Sequence, residues 1–236
     1  MSHVRFFSAL VLVMGCCSAI PAQATTIVGL PADTGTGNCF PFGCAYAGEY
    51  QQVYTSSQFS GPVTITDLEF FNTQENFSGT GMNSGTWNIS LSTTAVDWNT
   101  ITGNFSTNVG SDNTSVFSGN LAQPWAFGDT LHITLSTPFT YNPAHGNLLL
   151  DVNVAGASQS LGTIYFDTNG YNGGGFNGDS VMGRAYGSGS FDRGYGLVTG
   201  FSTDQTTSPV PEPASIFLLG SGLLGLVRAR RKSGSF

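Results

Sequence analysis

The amino-acid sequence predicts an all-β ectodomain, an antiparallel β-sandwich of jelly-roll type, set between an N-terminal signal peptide and a single C-terminal transmembrane helix. Three observations carry this reading. Apolar residues recur at every second position in several segments between Thr25 and Gln205, the period of a half-buried strand. Gly, Asn and Pro punctuate the intervals, and no segment there carries a helical apolar stripe. Both ends depart from this pattern: each holds an apolar run, and five of the seven basic residues lie in these ends.

At the N-terminus, His3 and Arg5 precede an apolar stretch from Phe6 to Met14, and Pro21-Ala22-Gln23-Ala24 follows. This is the three-part order of a secretory signal, with small residues placed for a cut after Ala24, so residues 1–24 are read as a leader. Val13-Met14-Gly15-Cys16 loosely resembles a lipobox, but the Ala-Gln-Ala site is the cleaner match. With Cys16 and Cys17 in the leader, Cys39 and Cys44 are the only thiols of the mature chain. Two close cysteines in an exported protein point to a structural disulfide, and no second Cys/His pair lies nearby to complete a zinc site.

The ectodomain, residues 25–205, contains three clean strands. Trp87, Ile89 and Leu91 alternate with Asn88, Ser90 and Ser92; Leu131, Ile133 and Leu135 with His132, Thr134 and Ser136; and Leu148, Leu150, Val152 and Val154 with Leu149, Asp151 and Asn153. Weaker strand patterns cover Val63 to Phe71, Ser115 to Leu121, Gly162 to Phe166 and Gly196 to Phe201. Many short strands with Gly, Asn and Pro turns suggest a sandwich rather than an α/β enzyme fold.

Residues 206–210 read as a linker, and residues 211–236 as a tail of three parts in fixed order. Pro211-Glu212-Pro213 is followed by an apolar stretch from Ala214 to Val227 and then by Arg228, Arg230, Arg231 and Lys232. Helical, the stretch is about 21 Å long at about 1.5 Å per residue, short of the roughly 30 Å of a comfortable span. The basic cluster would hold the C-terminus on the cytoplasmic side and leave the ectodomain outside. Pro211 and Pro213 keep Glu212 extended at the membrane boundary.

This ordered triple resembles the PEP-CTERM sorting signal, a tail also called the ice-binding protein C-terminal domain. The resemblance implies that an exosortase, an intramembrane cysteine transpeptidase-like enzyme, recognises Pro211, Glu212 and Pro213 and cuts nearby. The precursor would then be held transiently in the inner membrane and end at the cell surface or outside the cell. Phe139 to Val152 resembles a strand-turn-strand segment of ectodomains that carry this tail.

Composition narrows the ectodomain's chemistry. Only 9% of residues are charged, the net charge is −7, and Arg184 and Arg193 are the only basic residues between the two terminal signals. Such an acidic domain repels a phosphate backbone, which excludes nucleic acid as a partner. Gly178-Asp179-Ser180 is similar to the nucleophile block of GDS-type esterases, and Asp129 and His132 have the spacing of their Asp-x-x-His pair. Their order along the chain is reversed and the α/β context is missing, so no catalytic residue and no enzyme activity is expected. Asp167, Asn169 and Asp179 gather oxygen ligands of the kind calcium takes, without the Gly and Glu positions of an EF-hand; no cofactor is expected. Trp87 is on an apolar strand face, whereas Trp98 and Trp125 lie near turns and are candidates for stacking on sugar rings, an exopolysaccharide for example. Sequence reading therefore expects an exported structural or adhesive surface or extracellular-matrix protein, with a carbohydrate-binding module as the alternative and a secreted hydrolase third.

Overall fold

A computed structural model of the chain describes residues 23–29, 37–74, 79–82, 84–158, 160–170 and 181–204. Residues 1–22 of the 1–24 leader, the linker, the sorting motif, the apolar stretch 214–227, the basic cluster and Asp179 lie outside the described residues, while Gln23 and Ala24, placed before the expected cut, begin the first strand. No helix among the described residues is long and apolar enough to cross a membrane.

The described residues are almost entirely β. In chain order the strands are β1 Gln23–Val28, β2 Gly37–Asn38, β3 Gly48–Tyr54, β4 Val63–Phe71, β5 Thr86–Thr94, β6 Thr114–Gly119, β7 Thr130–Tyr141 and β8 Asn147–Ala155. They continue as β9 Phe166–Asn169, β10 Met182–Gly187, β11 Ser190–Arg193, β12 Gly196–Leu197 and β13 Thr199–Asp204. Helix is confined to single turns at Ser56–Gln58, Phe105–Asn108 and Pro143–His145. All strand pairing is antiparallel, in a four-stranded sheet β1-β13-β4-β7, a six-stranded sheet β11-β10-β3-β8-β5-β6 and a small sheet β12-β9-β2.

Alternation explains which side chains meet. Trp87, Ile89 and Leu91 of β5 and Leu148, Leu150 and Val152 of β8 are fully buried, and they join Ile65, Leu68 and Phe70 of β4 and Leu131 and Ile133 of β7 in one apolar cluster. Residues of both larger sheets thus share one buried apolar cluster. Tyr54 of β3 meets Phe201 of β13 edge-on at 5.0 Å and shares a 2.8 Å hydrogen bond with Thr199.

Segment 139–152 is a connection between sheets, not a hairpin: β7 belongs to the four-stranded sheet and β8 to the six-stranded one. Asn142 accepts from the Ala144 N–H, Pro143 presets the turn, and the Tyr141 hydroxyl donates to the Gly146 carbonyl at 2.7 Å. Gly146 lies at φ 144, where a Cβ would also strike the Thr94 carbonyl.

The weaker strand expectations fare unequally. Val63–Phe71 is one strand with the expected bounds. The strand expected over Gly162–Phe166 is displaced to β9, because Thr163 and Ile164 bond to Gly79 and Gly43 outside any ladder. Gly196–Phe201 divides into β12 and β13 at Val198, whose N–H donates to Asp167. Pattern reading missed β3 and the β10-β11 hairpin, whose buried Gln51, Gln52 and Arg184 break the apolar alternation.

Candidate functional site

The junction with the tail is built into the middle of the four-stranded sheet. β13, the last described strand, lies between β1 and β4, and its final residue Asp204 is opposite Gln23 and Thr64. Thr203 is fully buried and its hydroxyl donates to the Ala24 carbonyl; the Ser202 hydroxyl donates to Glu69 at 2.6 Å. The chain therefore reaches the linker from a strand held on both sides. Pro211, Glu212, Pro213, Arg228, Arg230, Arg231 and Lys232 follow outside the described residues.

Cys39 and Cys44 are disulfide-bonded, with Cα atoms 5.3 Å apart. The enclosed residues are core rather than surface: Phe42 is fully buried 4.6 Å from the ring of Phe70, and the Pro41 carbonyl accepts from the Trp87 indole.

The two tryptophans proposed to meet sugar occupy different settings. Trp125 is 8% exposed, its indole donates to Asn72 and its ring stands edge-on to Phe166 at 5.5 Å, so the stacking face expected from the sequence is a packing face. It stands in an irregular Pro-Trp-Ala-Phe-Gly turn without strand alternation, and its partners Asn72 and Phe166 are distant in sequence, which is why its burial was not legible. Trp98 is half-buried against the cluster of Val53, Ile101, Leu149 and Ala185. An uncharged cleft of about 290 Å³ lies elsewhere, between the free edges of β6 and β7, with Phe117, Leu121 and Ile133 beside Asn120, Gln123 and His132.

Of the oxygen ligands considered for calcium, Asp179 lies outside the described residues and the other two are in a strand rather than on a loop. Asp167 and Asn169 lie in β9, 3% and 5% exposed. Asp167 Oδ1 accepts from the N–H groups of Thr73 and Gln74 and Oδ2 from the Thr73 hydroxyl, so the carboxylate holds the turn after β4. Among the described residues no three His, Cys, Asp or Glu side chains are placed to hold a metal. Asp129 accepts from the Ala126 N–H at the turn before β7, while His132 points outward with Nδ1 3.9 Å from Glu69. His145 is on the exposed turn after β7.

One polar cluster escaped sequence reading. Arg184, 4% exposed, donates from Nε and Nη2 to Asp192 Oδ2 at 2.8 and 2.7 Å, and its guanidinium lies 4.6 Å from the Tyr186 ring and 4.4 Å from that of Tyr195. Beside it, Gln52 accepts from the Tyr50 hydroxyl and the Leu197 N–H and donates to the Leu197 carbonyl, tying the large sheet to β12. Burial pushes the Tyr50 hydroxyl well above the usual tyrosine range, keeping it a neutral donor. The rarity of basic residues in the ectodomain was the one available sign that Arg184 is structural.

No curated protein matches the chain. The family model for the PEP-CTERM protein-sorting motif matches residues 209–232, the segment holding Pro211-Glu212-Pro213, the apolar stretch and the basic cluster, and it marks the chain as an exported protein sorted by an exosortase.

Proposed function

We propose that this protein is a structural or adhesive component of the cell surface or extracellular matrix, exported by its leader, held briefly in the inner membrane by residues 214–227 and cut by an exosortase near Glu212. The tail's three ordered parts carry the reading. The ectodomain is read as a jelly-roll-like sandwich, supported by the common core of the two larger sheets. It needs no cofactor and no catalytic residue: rigidity comes from the disulfide, the buried polar network and a surface solvated by hydroxyl and amide groups rather than charge. Immunoblots of membrane, surface and medium fractions from cells with and without the exosortase test it. Accumulation of a larger membrane-bound form only without the enzyme supports the reading; one size and one location in both strains contradicts it.

A carbohydrate-binding role is the second reading, favoured by the cleft between β6 and β7, where an aromatic and aliphatic floor adjoins amide, hydroxyl and imidazole groups. Glycan-array binding lost on Phe117→Ala would support it, as would loss on Trp98→Ala for the half-buried indole. An array with no binding favours the scaffold.

A further inference from the structure

The cleft between β6 and β7 exists because, among the described residues, neither strand has a second ladder partner. β6 pairs with β5 and β7 with β4, so each turns an edge of backbone N–H and C=O groups toward the gap. At one end the gap is closed: the Ser136 hydroxyl donates to the Val116 carbonyl at 2.9 Å. Beyond that contact Phe117, Leu121 and Ile133 give the cleft an apolar floor, and Gln123 and His132 stand beside it. The turn after β6 is set before any ligand arrives, because Asn120 Oδ1 accepts from the Ala122 N–H at 2.6 Å and its Nδ2 donates to the Gly85 carbonyl at 2.9 Å. Gly119 leaves room for the Phe117 ring; a Cβ there would come within 3.1 Å of Phe117 Cζ.

Charge decides what this cleft accepts. Among the described residues no carboxylate, ammonium or guanidinium group lines it. Two carboxylates stand on β4, behind its β7 wall, and both are engaged: Asp67 accepts from the Thr134 hydroxyl at 2.7 Å and Glu69 from the Ser202 hydroxyl at 2.6 Å. His132 turns Nδ1 toward Glu69 at 3.9 Å, which leaves Nε2 for a ligand. The chain carries 14 acidic residues against 7 basic, and five of those seven lie in its ends. An anionic ligand would meet repulsion and no countercharge. A purely apolar one would leave the polar groups of both edges unpaired. A neutral sugar meets both demands: its ring carbons offer an apolar face to Phe117, and each hydroxyl donates and accepts, so it pairs with N–H or C=O alike. At about 290 Å³ the cleft is near the lower end of the roughly 300–1,000 Å³ of small-molecule sites, room for about one or two sugar rings.

From this we infer that the cleft binds a neutral glycan, with a sugar ring stacked on Phe117 and its hydroxyls paired with the strand edges, Gln123 and His132, and that it rejects chains of uronic acids. The inference rests on the carbohydrate reading above and adds the charge class of the ligand and the groups that select it.

The test uses the full-length chain, exported with its disulfide intact and purified in a detergent without a sugar headgroup. It is applied to arrays of neutral glucan, mannan and galactan oligosaccharides beside alginate and polygalacturonate fragments. The natural chain is expected to bind neutral oligosaccharides only, with affinity changing less than about twofold between about 0.05 and about 0.5 M salt, because no ion pair is there to be screened. Phe117→Ala should weaken binding about tenfold. Phe117 also packs against the core, so a second variant is made at exposed Gln123. Gln123→Lys places an ammonium beside the cleft and should add salt-sensitive binding of the alginate and polygalacturonate fragments. A natural chain that binds the acidic fragments, with loss on Phe117→Ala, keeps the carbohydrate reading and overturns the neutral class. Neutral binding indifferent to Phe117→Ala, or a Gln123→Lys chain that gains no acidic ligand, overturns the cleft as the site. No binding to any array member contradicts the carbohydrate reading and this proposal with it.

Discussion

The outer faces of the two larger sheets follow different rules. On the four-stranded sheet the face away from the core is solvated: His132, Thr134 and Thr140 of β7 are exposed, and Thr134 donates to Asp67 across the strands. On the six-stranded sheet the corresponding face is covered by residues 95–113. Val53, Leu149 and Ala185 are buried there with Ile101, and Val96, Trp98, Phe105 and Val109 pack over them. The cover is fastened by polar bonds: Asn108 Nδ2 donates to Gln51 at 2.9 Å, the Thr94 hydroxyl to the Asn108 carbonyl at 2.7 Å, and Asn147 Nδ2 to the Val96 carbonyl at 2.9 Å. A strand with one wet face shows its alternation in sequence; where both faces are covered the alternation is interrupted, as at Leu148-Leu149-Leu150 of β8.

The largest test of that contrast is truncation on each outer face. Leu149→Ala removes a fully buried side chain and should cost about 2–5 kcal/mol in urea unfolding. Thr134→Ala on the wet face should change stability by no more than about 0.5 kcal/mol. Equal effects would mean that the 95–113 cover does not seal the sheet. Next in size, Asn108→Ala leaves the buried Gln51 amide oxygen without its partner and should cost about 1–3 kcal/mol. Faster proteolysis of the 95–113 segment should accompany it, and an unchanged cleavage rate would show that the fastening is elsewhere.

The smallest effect is electrostatic. Glu49 and Asp151 neighbour each other on the covered face; burial, and for Glu49 also the Asp151 charge, raises both carboxyls above their ordinary range. Such a group binds its proton more tightly folded than unfolded. Stability should rise as pH falls through the raised value toward the ordinary one, and fall as pH rises back through it. Asp151→Asn should remove part of that acid-side gain. Unfolding curves in neutral and mildly acidic buffer measure it, and an unaltered pH profile would mean that the face is wetter than described.

The same contrast governs how much was legible beforehand. β4 matched its sequence pattern from end to end and β7 showed one apolar face because water on the other side keeps the period visible, whereas β5 and β8, partly covered on that side, were legible because Asn88, Ser90, Asp151 and Asn153 still separate their apolar residues. β3 was invisible because adjacent Gln51 and Gln52 are both fully buried, one beneath the 95–113 cover and the other in the interior network. β10 was hidden by an inward Arg184, whose burial is made tolerable by its bonds to Asp192 in the hairpin partner and by the rings of Tyr186 and Tyr195. Trp125 and Asp167 were misplaced for a related reason: each is adjacent in sequence to turn-forming residues, and its partners, Asn72 and Thr73, lie far along the chain. The Cys39–Cys44 bond was legible from local spacing together with the leader that marks an exported chain. The tail was legible as well, since its meaning depends on the order of short segments rather than on a fold.

The central claim is that Glu212 and its flanking prolines mark a cutting site and that residues 214–227 do not remain as an anchor. Intact mass of the protein recovered from the cell surface and medium tests it most directly, compared between the natural chain and Glu212→Ala in cells that contain the exosortase. The account requires the natural chain to end close to Pro211–Pro213, with residues 214–236 missing, and Glu212→Ala to remain in the inner membrane with a mass that includes them. Surface protein that retains the whole tail, together with a silent Glu212→Ala, would make the tail a permanent anchor and contradict the claim.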